Sequence, residues 1–247
     1  MQNKLNVAVV FGGKSGEHEV SLMSATNVIN AMDKNKYNIH TIGITKKGQW
    51  MLYQGSVEKL QDGSWESEAR CLDNHQLIDM MLGSILEENH KSKLDVIFPV
   101  LHGPNGEDGT IQGFFEMLNI PYVGCGVIGS ALGMDKVISK QLFMDAGLNV
   151  AKYDVAYKFE VQDQLQKVIE RIEAKFQYPV FVKPVNMGSS VGITKAHNRQ
   201  ELEQGLKEAA KYDRKILIEE FINGRELECA VLGNNYPEAT GAGEVIP

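Results

Sequence analysis

Two short apolar runs, each ending at glycines and each followed by a helix-like segment, constrain this 247-residue chain more than any other feature. LNVAVVF (5–11) stops at Gly12-Gly13, and LDVIFPVL (94–101) stops at His102-Gly103. After the first comes EVSLMSATNVINAM, with Leu22, Ala25, Ile29 and Met32 at helical spacing; after the second comes DGTIQGFFEMLNI. Strands separated by helices favour right-handed crossovers and an open parallel sheet. Ligands on such sheets bind beyond the carboxyl ends of the strands. FGGKSGEHE and LHGPNGEDG both stand at such ends, so the pattern predicts that they face one cleft.

Around these runs, YNIHTIGIT reads as a strand and KKGQWMLY as a turn into another. Residues 54–70 read as an irregular surface insertion, HQLIDMMLGSIL (75–86) as a helix, and PYVGCG as a short strand. The character changes after Gly124. SALGMDKVISKQLFMDAGL (130–148) reads as a helix and AKYDVAY as extended. VQDQLQKVIERIEAKF (161–176) reads as an amphipathic helix with Leu165, Val168, Ile169, Ile172 and Phe176 on one face. YPVFVKPV, VGITKA and KILIEEFI are β-rich, separated by a Gly/Ser turn and the helix RQELEQGLKEAAKY, which predicts an antiparallel α+β domain. RELECAVLGNN begins a third layer, so the expected division is 1–124, 125–222 and 223–247.

Composition removes several function classes. A formal charge of −7 lacks the basic face that a nucleic-acid backbone requires. No apolar run reaches membrane-spanning length, and MQNKLNVAVVFGG lacks a secretory pattern. Cys71, Cys125 and Cys229 are far apart and in no metal spacing, as expected for reduced thiols in a cytoplasmic protein.

FGGKSGEHEVS looks at first like a phosphate loop, but its spacing fails. A G-x-x-x-x-G-K-[ST] loop ending at Gly13-Lys14-Ser15 would need glycine where Ala8 stands, and glycines at 12, 13 and 16 do not make G-x-G-x-x-G. What remains is Glu17 in a first helical turn, favoured there by the helix dipole, with Ser21 one turn later on the same face. One reading is helix-start chemistry with Ser15 as N-cap. The other is a carboxylate and a hydroxyl that hold a substrate ammonium group.

In LHGPNGEDGT, His102 emerges at the sheet edge. It either contacts an anionic ligand or relays a proton, or else the stretch is a Gly-rich connection with Glu107 and Asp108 as capping acids. In YPVFVKPVNMGSSVGITKA, Lys183 lies within an apolar run, where a charge needs a partner or a ligand. The following NMGSSVG, with Gly188, Ser189 and Ser190, leads into another strand and predicts a hairpin flap whose N–H groups close over phosphates. The alternative is an ordinary hairpin with a solvent-facing lysine. In KILIEEFINGRELECAVL, Glu219 and Glu220 end a strand and precede Phe221, Ile222 and Glu226. The stretch reads equally as an adenine-binding edge or as an edge strand protected by charge.

Together FGGKSGEHEVSLMSA, FPVLHGPNGEDGTIQG, GMDKVISK, FVKPVNMGSSVGITK and LIEEFINGRELECAVLG resemble, in order and spacing, the D-alanine–D-alanine ligases of the ATP-grasp superfamily. The resemblance implies an α/β fold: an N-terminal open parallel-sheet domain followed by ATP-grasp α+β domains, the last one incomplete. It implies that Glu17 contacts the ammonium of the first D-alanine with support from Ser21, and that His102 lies near its carboxylate. It implies that Ser189 bonds Glu17, and that Lys136 and Lys183 contact ATP phosphates beneath the Gly188-Ser189-Ser190 flap. Glu219 would bind the adenine amino group, the backbone of Glu220, Phe221 and Ile222 the ring edge, and Glu226 the ribose. The implied reaction makes an acylphosphate from ATP and the first D-alanine carboxylate, which the second D-alanine amine attacks. ATP with Mg2+ or Mn2+, D-alanine and a homodimeric partner are implied, as is a role in peptidoglycan precursor synthesis.

The family's metal ligands and its intermediate-stabilising arginine are expected beyond Pro247, so residues 1–247 alone are expected to be inactive. A relative joining D-alanine to D-lactate or D-serine is the nearest alternative. A biotin-dependent carboxylase is disfavoured by the first two motifs. A non-catalytic nucleotide-binding module is the alternative from another class.

Overall fold

The computed structural model describes residues 4–81 and 94–246. The first sheet is built from β1 (Leu5–Gly12), β2 (Tyr37–Ile44), β3 (Trp50–Tyr53), β4 (Arg70–Cys71) and β5 (Val96–Leu101), in the order β4-β3-β2-β1-β5. Helices α1 (His18–Ala31), α2 (Glu58–Gln61), α3 (Trp65–Glu68), α4 (Asn74–Met81) and α5 (Thr110–Met117) accompany it. β1 runs parallel to both β2 and β5. Alternate β1 side chains point to opposite faces. Ala8 and Val10 pack with Ile97, Met80 and Phe115, while Val9 and Phe11 pack with Leu22, Ala25 and Trp65. Both faces are therefore covered, which explains why VAVVF (7–11) is apolar throughout rather than alternating.

An open parallel sheet was expected from sequence, but this one is mixed, parallel at its centre and antiparallel at one edge. β3 pairs antiparallel with β2, and β4 antiparallel with β3. The link from β2 to β3 closes tightly, with the Gly48 N–H donating to the Thr45 carbonyl at 2.9 Å. Such a turn is far too short for a parallel crossover, which takes about a dozen residues. PYVGCG forms a single parallel bridge, Ile97 with Tyr122, rather than a strand. Residues 54–70 are not a surface insertion. They form α2 and α3 and bury Leu60 and Trp65 completely. The indole meets Phe11 edge-on at 4.9 Å between ring centroids. It also lies where a Cβ on Gly43 would be. Of the helix expected over 75–86, α4 buries Leu77, Met80 and Met81; residues 82–86 lie outside the described residues.

The second sheet is wholly antiparallel. β6 (Tyr153–Tyr157), β7 (Val180–Pro184), β8 (Thr194–Ala196) and β9 (Lys215–Glu220) run in the order β6-β9-β7-β8. α6 (Val127–Met134) and α7 (Lys136–Asp145) precede it in the chain, and α8 (Lys158–Asp163), α9 (Leu165–Lys175) and α10 (Arg199–Tyr212) are interleaved with its strands. The apolar stripe Val168, Ile169 and Ile172 of α9 packs with Leu202, Leu206 and Ala209 of α10 over Val180, Val182, Ile216 and Ile218, with Leu165 and Phe176 at its margin.

Residues 130–148 form two helices where one was expected. Asp135 leaves the helical region (φ −79°, ψ 98°) and starts α7 afresh, its Oδ1 accepting the Val137 and Ile138 N–H groups at 3.0 Å. An aspartate N-cap of this kind contributes about 1 kcal/mol. The helix expected over 161–176 likewise breaks, at Gln164 between α8 and α9.

Downstream, β10 (Glu226–Glu228) pairs antiparallel with β13 (Gly243–Val245), and β11 (Val231–Leu232) with β12 (Glu238–Ala239), all exposed. Among the described residues no helix is long and apolar enough to cross a membrane.

Candidate active site

The parallel register sets Gly12 beside Leu101, so the loops after β1 and β5 leave the sheet at the same edge. Ser15 ties them together. Its Oγ donates to the His102 carbonyl at 2.9 Å and accepts the Glu17 N–H at 3.2 Å. Ser15 is not the N-cap of α1. That position belongs to Glu17, whose carboxylate makes no capping bond. Ser21 is fully buried, accepts the Gly12 N–H at 2.7 Å and donates its one proton to the Val100 carbonyl. It therefore fastens α1 to the ends of β1 and β5, and supports Glu17 through this scaffold rather than by side-chain contact.

The Glu17 carboxylate turns away from its own helix toward the loop joining β7 to β8. Ser189 in that loop donates its hydroxyl to Glu17 Oε1. Ser189 and Ser190 sit at φ 43° and 60°, a left-handed conformation that costs non-glycine residues about 1 kcal/mol or more. Two glycines shape the carboxylate's seat. A Cβ on Gly103 would overlap Glu17 Oε2, and one on Gly188 would lie 2.8 and 2.9 Å from the two oxygens. Glu17 is 4% exposed, and its Oε2 has no hydrogen-bond partner. A buried anionic oxygen is costly unless something donates to it, and an ammonium group has the right charge and donors.

His102 follows β5, with Nε2 3.1 Å from Ser24 Oγ and Nδ1 4.0 Å from Glu107 Oε1. Glu107 is held in turn by the Gly103 N–H, which donates to Oε2 at 2.7 Å. The carboxylate beside it raises the His102 pKa, and the imidazole holds that of Glu107 below the usual carboxylate range. At 4.0 Å the two groups form an ion pair rather than a hydrogen bond. Asp108 accepts the Asn105 and Thr110 N–H groups, but it is not the helix cap read for it in sequence: the N-cap of α5 is Gly109, with no side-chain capping bond.

A cluster of lysines lies beyond the flap. Lys136 Nζ donates to the Val185 and Met187 carbonyls at 3.2 and 2.5 Å. Burial lowers its pKa, and the Lys183 charge adds to that. Lys183 does not face solvent alone: its Nζ is 2.6 Å from Glu219 Oε2. Lys140 Nζ is 2.5 Å from Glu219 Oε1. Burial pushes the Glu219 pKa up, but the two lysines outweigh it and hold the carboxyl below its usual range. The Glu220 carboxylate accepts the Lys152 N–H at 2.8 Å. The Phe221 ring lies 6.1 Å from Phe181, with Lys195 Nζ 3.8 Å from its centroid. Ile222 is exposed, as is Glu226, which pairs with Val245.

Comparison with known proteins identifies this combination. Residues 6–125 match the family described as D-ala D-ala ligase N-terminus, and 142–247 match D-ala D-ala ligase C-terminus. A D-alanine–D-alanine ligase of Thermoanaerobacter sp. (strain X514) is 53% identical over 254 residues, an alignment covering 99% of this chain and 68% of that protein. The chain belongs to the D-alanine–D-alanine ligase family.

Solved structures of that family share its fold. The D-alanine-D-alanine ligase from Coxiella burnetii superimposes with a TM-score of 0.82 at 34% identity, over 98% of this chain and 71% of that one. The VanG D-Ala:D-Ser ligase from Enterococcus faecalis gives 0.81 at 39% identity, over 98% of this chain and 70% of that one. The α/β architecture of the D-alanine–D-alanine ligases, with its ATP-grasp part, is thus the one expected from the motifs.

In this member of the ligase family, Glu17 and Ser189 come together, as do Lys183 and Glu219, while the Ser21 hydroxyl bonds the backbone of Gly12 and Val100 and Glu226 pairs with Val245. Sequence reasoning missed Lys140. Its spacing of four from Lys136 in GMDKVISK sets it one turn along the same face of α7, and that was the available signal. Among the described residues no group of three or more His, Cys, Asp or Glu is arranged to hold a metal ion.

Proposed function

We propose that this chain serves the ATP-dependent joining of two D-alanine molecules to D-alanyl-D-alanine, through a D-alanyl phosphate, in peptidoglycan precursor synthesis. The observation that carries the reading is the hydrogen bond from Ser189 to Glu17. It joins a carboxylate with an unpartnered buried oxygen to a flap that covers the lysine cluster. Glu17 accepts from the ammonium of the first D-alanine, and His102, with its raised pKa, lies toward the substrate carboxylate. Lys136 and Lys183 exchange their present protein partners for nucleotide phosphates. Glu219 accepts from the adenine amino group, the backbone of 220–222 meets the ring edge, and Glu226 meets the ribose.

The chemistry follows from these contacts. A carboxylate oxygen of the first D-alanine attacks the γ-phosphorus of ATP, and the bond to the β-phosphate oxygen breaks, releasing ADP. The lysines offset the charge on the transferring group. The amine of the second D-alanine then attacks the acyl carbon, phosphate leaves, and the amine proton is lost. With Ser189 latched to Glu17 the flap shields the acylphosphate from water. The family implies Mg2+ or Mn2+; the described residues do not fit a metal site, and no step is assigned to the ion. A cytoplasmic homodimer, and a division at 1–124, 125–222 and 223–247, belong to the same proposal.

Titration calorimetry with ATP and with D-alanine tests the reading, and binding of neither would defeat it. The likeness to a D-Ala:D-Ser ligase gives a second reading specific support. Competition of D-serine and D-lactate against D-alanine as second substrate separates the two.

A further inference from the structure

We infer that Lys140 is a positioning residue that sets base specificity, by keeping Glu219 a hydrogen-bond acceptor for an exocyclic amino group. The inference deepens the proposed function and rests on its reading of Glu219 as the contact to the base.

Glu219, next to last in β9, is 7% exposed, and each of its oxygens meets a different lysine. The two lysines are not held alike. Lys140 is 14% exposed, and besides Glu219 Oε1 its ammonium reaches the Ala151 carbonyl at 3.3 Å and the Tyr153 ring at 5.5 Å from the centroid. It is thus anchored by a carboxylate, a backbone carbonyl and an aromatic face. Lys183 is 25% exposed, and among the described residues its ammonium meets Glu219 Oε2 and the Phe181 ring, 5.2 Å from the centroid. When phosphates arrive, Lys183 is the one that can leave, and Lys140 remains as the fixed counter-ion.

That difference matters for recognition. An ionised carboxylate only accepts hydrogen bonds. It welcomes the 6-amino group of adenine and meets the 6-oxo group of hypoxanthine with two acceptors face to face. A site built around such a bond discriminates strongly, because the wrong partner leaves a buried polar group unpaired. Without Lys140, a buried Glu219 released by Lys183 takes up a proton. The neutral acid can donate as well as accept, and the two bases become equivalent.

The test is calorimetric binding of ATP and ITP to the protein and its variants, each checked for folding by thermal melting. The native protein is expected to bind ATP at least about tenfold tighter than ITP, the size expected of one charge-assisted hydrogen bond. Lys140→Met is expected to bring the two affinities within about twofold, chiefly by weakening ATP. Lys140→Arg keeps the preference, because it keeps the charge. In a Glu219→Gln background, where the amide can present either group, Lys140→Met should change nothing further. A folded Lys140→Met protein that still prefers ATP as the native one does would overturn the inference. So would a further change in the ATP-to-ITP ratio when Lys140→Met is added to Glu219→Gln. Native protein that binds ATP and ITP alike defeats this inference but leaves the ATP reading standing, whereas native protein that binds neither defeats both.

Discussion

Ser189 donates its hydroxyl to Glu17 across 172 residues of sequence, joining the loop after β7 to the turn that opens α1. Glu17→Gln keeps the shape and removes the charge. We expect it to weaken D-alanine binding at least about tenfold while leaving ATP within about twofold, since a charged acceptor is worth about 1.5–3 kcal/mol. Calorimetry with each ligand checks this, and equal losses for both would contradict the assignment. Ser189→Ala removes the latch, and faster amide exchange at residues 186–192 is its expected signature.

Gly103 has φ 72°, and a Cβ there would strike the Glu17 carboxylate. Gly63 has φ 77° with nothing within 4 Å of its added Cβ. Alanine at each position thus incurs similar backbone strain, about 1–2 kcal/mol, but only Gly103→Ala adds a collision. Urea denaturation should show Gly103→Ala as the less stable of the two. Only that variant should lose D-alanine affinity.

Glu219, itself buried, separates two half-buried lysines. Glu219→Leu leaves them facing a carbon, and breaking a buried pair this way costs about 3 kcal/mol or more. A further Lys140→Met change should recover part of that loss. If the single variant melts like the native protein, the two lysines do not depend on Glu219.

His102 and Glu107 give stability a pH dependence of known sign. The His102 pKa is raised, so its contribution is full below about pH 6.5 and fades as pH rises through the folded value. That of Glu107 is lowered, so its contribution is present above about pH 4.5 and fades as pH falls through its folded value. The stability difference between native protein and Glu107→Gln should therefore peak between these limits. NMR titration should show the His102 pKa falling toward its ordinary value in that variant.

Trp65 is fully buried between Phe11 and Gly43. Trp65→Ala should cost about 3–5 kcal/mol, measured by urea denaturation. A surface insertion, as residues 54–70 read in sequence, would lose almost nothing.

The same residue shows where sequence legibility ended. The apolar run of β1 and the stripe of α9 carry their burial in local period, so they could be read directly. Trp65 sits in a short polar stretch with no period, and its burial depends on a glycine on another strand. Asp135 could have been read as a break in the helix, because aspartate before an apolar turn is an N-cap signal; the flanking helical residues hid it. The site divides the same way. Lys183 in an apolar strand announced that it needed a partner, but nothing local could say that the partner was Glu219 and that Lys140 shared it.

Sequence by itself determined that the apolar runs of β1, β5, β7 and β9 are strands, where glycine loops end β1 and β5, and which residues carry charge at those ends. Periodicity and turn chemistry act over a few residues, and these features need no more. The tertiary structure alone decided that Ser21 fastens α1 to β1 and β5, that Ser189 closes on Glu17, and that Lys140 shares Glu219 with Lys183. Each of those depends on side chains brought within hydrogen-bond reach by the packing of distant elements. Hydrogen-bond energy falls away within an ångström or so of contact, and no pattern along the chain encodes separations that fine.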